Sequence, residues 1–380
     1  MTANLTSNIW KLTNFLENTN SKFNKEEILS NLPEDLIDDA IKSISTWENY
    51  SPTPLVKLNK LNDQLKFKNI YYKDEDKRFD LKSFKALGGA FAVYKIASEK
   101  KNITVSTATA GNHGRSVAWG AQRLGLKCKI FISEFVSESR AEAMRKLDAE
   151  VIRVKGNYDN SLKECIKQSK ENNWEIVQDV SWEGYKEVPK LIMAGYTIMI
   201  KEILDEVKSN SISHVFLQAG VGGMAAAMIA GFAKLSQNIP KFIIVEPENA
   251  DCVFQSIKNN KPTSVDIKKE TVMGGMSCGD VSSIAWEILK NSSNYCLTIS
   301  DEAISTTVAL LAEKRLSDEK IIAGECAVPG IIALISSFNN KEYLDKLELN
   351  EQSNVLLFGC EGLTDSAMYQ KLLSDGLQKI

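Results

Sequence analysis

Lys85 stands in Ser83-Phe84-Lys85-Ala86-Leu87-Gly88-Gly89-Ala90, between an aromatic ring and a run of small apolar residues. An amine in such surroundings loses hydration, which penalises the ammonium form and lowers the pKa. A neutral lysine is a nucleophile, and its usual employment is a Schiff base with a carbonyl cofactor or substrate. The same eight residues also suit a lysine with a buried stem whose tip reaches water. The octapeptide leaves both readings open.

Two further segments carry chemistry. Gln218-Ala219-Gly220-Val221-Gly222-Gly223-Met224-Ala225 follows an apolar strand-like run. Glycines at 220, 222 and 223 at a strand-to-helix turn let backbone N–H groups converge on an anion, and the helix dipole adds to them. This is a phosphate cup. The segment also fits Gly-x-Gly-x-x-Ala with an acidic residue, Glu246, at the end of the following strand, which is a dinucleotide fingerprint. The other segment is Thr107-Ala108-Thr109-Ala110-Gly111-Asn112-His113-Gly114. Small residues and hydroxyls at a helix start suit a substrate carboxylate. Asn112 can bond a phenolic oxygen, and His113 is either a base or a packing residue. A Schiff-base lysine, a phosphate cup and a carboxylate loop together describe a site for pyridoxal phosphate carrying an amino acid.

The elements that must position these residues alternate along the chain. Strands are expected at 70–73, 103–107, 128–133, 151–155, 175–178, 214–218, 242–246 and 355–358. Helices are expected at 84–99, 114–124, 138–147, 161–172 and 222–235. Such alternation predicts an α/β fold of open, mostly parallel sheets covered by helices on both faces. Right-handed crossovers then gather the strand-to-helix turns along one edge, where ligands bind. The first 50 residues read as helical and peripheral, ending at Ser51-Pro52-Thr53-Pro54, where two prolines enforce extended backbone.

A chain of 380 residues is too long for one small core and predicts two lobes. The charge balance is mildly acidic, -3, with 46 basic and 49 acidic residues, so there is no electrostatic footprint for nucleic acid. Seven scattered cysteines and two histidines exclude a structural zinc pattern. No apolar run approaches a membrane span, and the opening residues have no signal-peptide character. The expected compartment is the reducing cytoplasm.

The sequence resembles the fold-type II family of pyridoxal-phosphate enzymes, which includes threonine and serine dehydratases and the tryptophan synthase β subunit. Within it, the sequence looks more like the diaminopropionate ammonia-lyases. The resemblance is carried by Tyr50-Ser51-Pro52-Thr53-Pro54-Leu55, Arg78-Phe79, Gly111-Asn112-His113-Gly114-Arg115, Gln178-Asp179, Trp182-Glu183-Gly184-Tyr185, the glycine segment, Val245-Glu246-Pro247, Ala250-Asp251-Cys252 and Glu361-Gly362 with Thr364-Asp365. It implies a two-lobed fold, with residues 1–95 and 200–380 binding the cofactor and 96–199 forming a smaller substrate lobe. It implies that Lys85 anchors pyridoxal 5'-phosphate. Gly220, Val221, Gly222, Gly223 and Met224 would hold its phosphate, Asn112 its ring oxygen, and Cys360 would lie near its pyridine nitrogen. Asp179 would be the base for an L-amino acid, a task that suits a carboxylate best if burial raises its pKa toward neutrality. Thr107, Ala108, Thr109, Ala110, Gly111, His113 and Glu183 contact or support the amino-acid substrate, and a homodimer is implied. Cys252 and Cys278 match a family pair that is either a disulfide or two thiols.

One position departs from the family. Ala110 stands where the diaminopropionate ammonia-lyases place an aspartate that acts on the D-isomer. Alanine moves no proton, and the loop then resembles the hydroxy-amino-acid dehydratases. The expected activity is α,β-elimination of ammonia from L-2,3-diaminopropionate, giving pyruvate. Competing readings are a serine/threonine-type dehydratase, a binding module that has lost turnover and, more distantly, a nicotinamide-dependent dehydrogenase built on Gly220–Ala225 and Glu246.

Overall fold

The computed structural model describes residues 4–207 and 212–380. Its strands are β1 (Leu12–Glu17), β2 (Leu55–Lys57), β3 (Asn69–Asp74), β4 (Thr104–Ala108), β5 (Lys127–Ser133), β6 (Ala149–Val154), β7 (Glu175–Ile176), β8 (His214–Gln218), β9 (Lys241–Pro247), β10 (Tyr295–Ile299) and β11 (Asn354–Gly359). They form a seven-stranded sheet in the order β1-β10-β9-β8-β11-β3-β2 and a four-stranded sheet in the order β6-β5-β4-β7. Every pairing is parallel except the two edge pairs of the larger sheet, β1 with β10 and β2 with β3. The larger sheet's central strands β8 and β11 are buried along their whole length, as parallel strands covered on both faces must be. The α/β expectation holds, and the eight strands foreseen are all present.

The reading of the first 50 residues as helical holds at Lys25–Asn31 and Glu34–Ile44 and is corrected at residues 12–17. Residues 12–17 form an edge strand, because Thr13 and Asn14 side chains both reach Thr298 Oγ1, at 2.7 and 2.9 Å. Those polar residues break the apolar alternation that would have marked the strand, and the tertiary partner supplies the pairing instead. Leu5, Trp10, Leu32 and Ile37 are buried, so this segment is part of the core and not peripheral. Strand β7 is shorter than expected: the Gln178 N–H leaves the ladder and donates to the Tyr185 hydroxyl at 2.9 Å.

A closed ionic network underlies the approach to Lys85. The Arg78 guanidinium donates to both oxygens of Glu75, at 2.8 and 2.9 Å, and to both oxygens of Glu202, at 2.8 and 2.7 Å. Lys73 Nζ lies 2.6 Å from Glu202 Oε2 and donates to the Thr53 carbonyl at 2.7 Å. Tyr50 and Thr53 hydroxyls complete the set, at 2.9 Å from Glu202 and 2.5 Å from Glu75. Each ionic side chain is at most 2% exposed. The network ties the Tyr50–Pro54 segment and the helix Ile198–Glu206 to the end of β3. It also steadies a tight stretch in which Phe79, Asp80 and Lys82 all take positive φ, a conformation costing roughly 1–2 kcal/mol per non-glycine residue.

Candidate active site

Lys85 opens the helix Lys85–Glu99 immediately beyond that stretch. Gly88 lets this helix press onto the helix Glu187–Tyr196: a Cβ there would lie 2.5 Å from the Ile192 carbonyl oxygen and from the Tyr196 ring. Lys85 Nζ donates to Asp179 Oδ2 and sits 5.4 Å from the Phe84 ring centre and 5.9 Å from that of Tyr196. Its side chain is 25% exposed and that of Asp179 14%, so both can be reached from outside. Burial by itself would push the amine down, but the Asp179 carboxylate outweighs it and holds Lys85 above the ordinary lysine range. Lys85 is therefore an ammonium here, which corrects the expectation of an amine neutralised by desolvation. Desolvation is present, and a counter-ion 94 residues away overrules it.

Asp179 is corrected in the same sense. Burial would raise its carboxyl, yet His113 and Lys85 attract the carboxylate strongly enough to hold it well below the usual range. At neutral pH His113 is itself neutral, because burial lowers its pKa, so Lys85 is the working counter-ion. His113 Nε2 lies 2.7 Å from the Val177 carbonyl, which can only accept, so the hydrogen is on Nε2. Nδ1 is then a lone pair 3.7 Å from Asp179 Oδ2, buried and without a hydrogen-bond partner among the described residues. The Tyr196 hydroxyl is likewise buried and unpartnered.

The end of β4 and the loop after it spend their hydroxyls on their own shape. Thr107 Oγ1 donates to Gln178 Oε1 at 2.9 Å, and Thr109 Oγ1 accepts from Gly111 and Gly114 N–H at 3.0 and 3.2 Å. Gln178 also clamps Ala108 through its N–H and carbonyl, at 3.1 and 2.9 Å. Asn112 and His113 open the helix Asn112–Arg123, whose N-terminus has no side-chain cap. Asn112 Nδ2 donates to Glu361 Oε2 at 2.6 Å. Ala110 is exposed, and its carbonyl accepts from Arg140 Nη1 at 3.3 Å. Glu183 is exposed on the Trp182–Tyr185 turn, with no hydrogen bond or ion pair among the described residues; it does not join the cluster. Cys360 Sγ donates to the Cys326 carbonyl at 3.1 Å, and burial keeps it a neutral thiol. Cys252 and Cys278 are free thiols, as are the other five cysteines.

Lys85, Asp179, Asn112, the Gly220–Gly222 turn and Cys360 all follow the C-terminal ends of parallel strands β3, β7, β4, β8 and β11. That is the edge at which open α/β sheets bind ligands. The pyridoxal-phosphate dependent enzyme family matches residues 46–361 of the chain. The chain belongs to that family. The enzyme is similar to the diaminopropionate ammonia-lyase of Escherichia coli (strain K12), 34% identical over 352 residues that cover 86% of this chain and 88% of that one. A crystal structure of the Escherichia coli diaminopropionate ammonia-lyase in complex with D-serine superposes with a TM-score of 0.89 at 30% identity, covering 97% and 98% of the two chains. The fold is shared with the processed threonine deaminase isoform 2 of Solanum lycopersicum, TM-score 0.78 at 20% identity over 96% and 92%.

The residues present fit the family's cofactor, pyridoxal 5'-phosphate. Gly222 has φ +89°, and a Cβ there would lie 2.8 Å from Leu289 Cδ1; at Gly220 a Cβ would approach Cys278 Sγ to 3.1 Å. The turn thus accepts only backbone, and Gly223, where a Cβ would meet nothing nearer than 3.9 Å, faces open space. The helix Gly223–Leu235 starts there with no side-chain cap, although its first residues are buried. A buried, uncapped helix start calls for an anion from outside the chain, and a phosphate supplies it. The dinucleotide alternative fails in this enzyme at Glu246. That carboxyl is fully buried and accepts from Val253 and Phe254 N–H at 2.9 and 2.6 Å, capping the helix Cys252–Asn259 instead of facing a ribose. Gln178, Tyr196, Arg140 and Glu361 were not foreseen at the site. Gln178 and Glu361 lay within motifs already noted, whereas Tyr196 and Arg140 carry no local signature.

Proposed function

We propose that the enzyme is a lyase acting on L-2,3-diaminopropionate, which it takes to pyruvate and ammonia by α,β-elimination. The observation that carries this reading is the accessible Lys85–Asp179 pair beside a phosphate-type cup, in a chain 34% identical to diaminopropionate ammonia-lyase. Lys85 would anchor pyridoxal 5'-phosphate, with Gly220, Val221, Gly222, Gly223 and Met224 on its phosphate, Asn112 on its ring oxygen and Cys360 near its pyridine nitrogen. When bound, that group serves as an electron sink for the substrate's α-carbon. Asp179 would accept the α-proton of the L-isomer at Oδ2 once Lys85, the ammonium that holds its pKa down, is engaged by the cofactor. His113 Nδ1, a lone pair 3.7 Å from that oxygen, can take the proton onward. Cys360, as a neutral thiol, would supply no anionic partner to keep the ring nitrogen protonated, which favours elimination over transamination. The backbone of Thr109, Ala110, Gly111 and His113 would face the substrate carboxylate, with Thr107 and Ala108 held behind them by Gln178 and Glu183 supporting from its exposed turn.

Ala110 favours a second reading, a serine/threonine-type dehydratase, because the D-isomer's aspartate is missing. The division into residues 1–95 with 200–380 and 96–199 belongs to the same proposal, supported by the way the two sheets draw on those segments. So do a homodimer, which rests on the family resemblance, and a cytoplasmic location, which rests on seven unpaired thiols. Among the described residues no helix is long and apolar enough to cross a membrane. The test is pyruvate release from L- and D-diaminopropionate, L-serine and L-threonine. L-diaminopropionate should be turned over fastest and the D-isomer at least about 100-fold more slowly, the usual worth of one positioned base. Preference for serine or threonine would select the dehydratase. Lys85→Ala should abolish the visible absorption of the purified enzyme, and persistence of that band would remove Lys85 as anchor.

A further inference from the structure

Glu361 follows Cys360 at the end of β11, and its carboxylate is gripped from both sides. Oε1 accepts from the Cys326 N–H at 3.1 Å, and Oε2 accepts from Asn112 Nδ2 at 2.6 Å. Its main chain is fixed as well: the carbonyl accepts from the Gly324 N–H at 3.0 Å, and the residue bridges to Ser83, two positions before Lys85. Gly324 has no room for a side chain, since a Cβ would lie 2.9 Å from Glu361 Cγ. The side chain is 5% exposed. A carboxylate this constrained presents one fixed acceptor to whatever meets it.

An asparagine amide is nearly symmetric in shape and opposite in function at its two ends: the NH₂ donates and the oxygen accepts. A ring oxygen carrying negative charge needs the donor. We infer that Glu361 is a positioning residue that sets the donor face of Asn112 toward the cofactor's ring oxygen. Because the Glu361 carboxylate only accepts, it holds the NH₂ end of Asn112 on its side. The second hydrogen of the same nitrogen remains for the ring oxygen. The inference rests on the role given to Asn112 under Proposed function. It spans 249 residues of sequence and joins the four-stranded sheet's loop to the seven-stranded sheet's β11.

The test reads the absorption of the cofactor-loaded enzyme as a function of pH, together with its melting temperature. In Glu361→Gln the amide can turn either way, so the fraction of cofactor with a protonated ring oxygen should rise. The change expected is about ten-fold, the worth of one hydrogen bond to a charged group. It appears as a shift of absorption to shorter wavelength, in the same direction as in Asn112→Ala, and the double variant Asn112→Ala with Glu361→Gln should shift no further than Asn112→Ala alone. The exchange of Asn112→Asp with Glu361→Gln separates positioning from mere support. It restores a hydrogen bond between the two side chains, and so the melting temperature, but turns an acceptor toward the ring oxygen, so the spectrum should stay shifted. A wild-type spectrum in Glu361→Gln while Asn112→Ala shifts, additive shifts in the double variant, or a spectrum rescued by the exchange would each overturn the inference. If Asn112→Ala itself leaves the spectrum unchanged, the role of Asn112 is wrong and the inference falls with it.

Discussion

Two clusters of buried charge, one centred on Arg78 and the other on Lys85 itself, are built to opposite specifications. In the Arg78 network every ionic side chain is at most 2% exposed, and both carboxylates accept from the guanidinium through both oxygens. Nothing is left over to react. In the Lys85–Asp179 cluster the two ions are 25% and 14% exposed, and His113 Nδ1 and the Tyr196 hydroxyl lack partners among the described residues. Buried polar groups left unsatisfied cost stability. Their presence beside an accessible ion pair therefore marks a place kept for chemistry, whereas the closed network marks a place kept for shape.

Asp179→Asn gives the sharpest separation: turnover should fall by roughly 10²–10⁴-fold, the contribution of a positioned base. Its thermal unfolding should stay close to that of wild type, because Lys85 reaches solvent. Equal loss of stability would show the pair to be structural. Arg78→Met should do the reverse. It strands two carboxylates in the interior and costs roughly 3–5 kcal/mol of stability, read by denaturant unfolding. Any activity lost should track the fraction unfolded.

Glu325 tests a third kind of burial, since burial and then the neighbouring Glu361 push its carboxyl up to about 8. A carboxyl raised on folding stabilises the protein below its unfolded pKa, and that contribution is lost as pH rises through the folded value. The wild-type melting temperature should therefore decline between about pH 5 and 9 by a few degrees more than that of Glu325→Gln. Parallel curves for the two proteins would refute this assignment. The smallest effect is expected for His113→Gln, whose amide can keep the bond to Val177 while removing the lone pair beside Asp179. Turnover should fall about ten-fold, and a full-rate variant would take His113 out of proton transfer.

Much of this was legible in the chain, for local reasons. Gly220 and Gly222 of the turn after β8 need backbone that side chains would obstruct, and that requirement is written in the residue types themselves. The parallel strands read as short apolar runs because both their faces are covered. β1 was not legible, since Thr13 and Asn14 find their partner on a strand near residue 298. Glu246 was legible as an acid, yet its task of capping the next helix depends on how the chain turns after β9.

The sequence by itself determined most of the parallel strands and the glycine turn after β8, because those follow from backbone geometry and hydrophobic period within a few residues. The charge of Lys85 belonged to the tertiary structure. So did the ionised state of Asp179 and the hold of Glu361 on Asn112. Electrostatic and hydrogen-bond energies depend on separation in space, and here the partners are 94 and 249 residues apart along the chain.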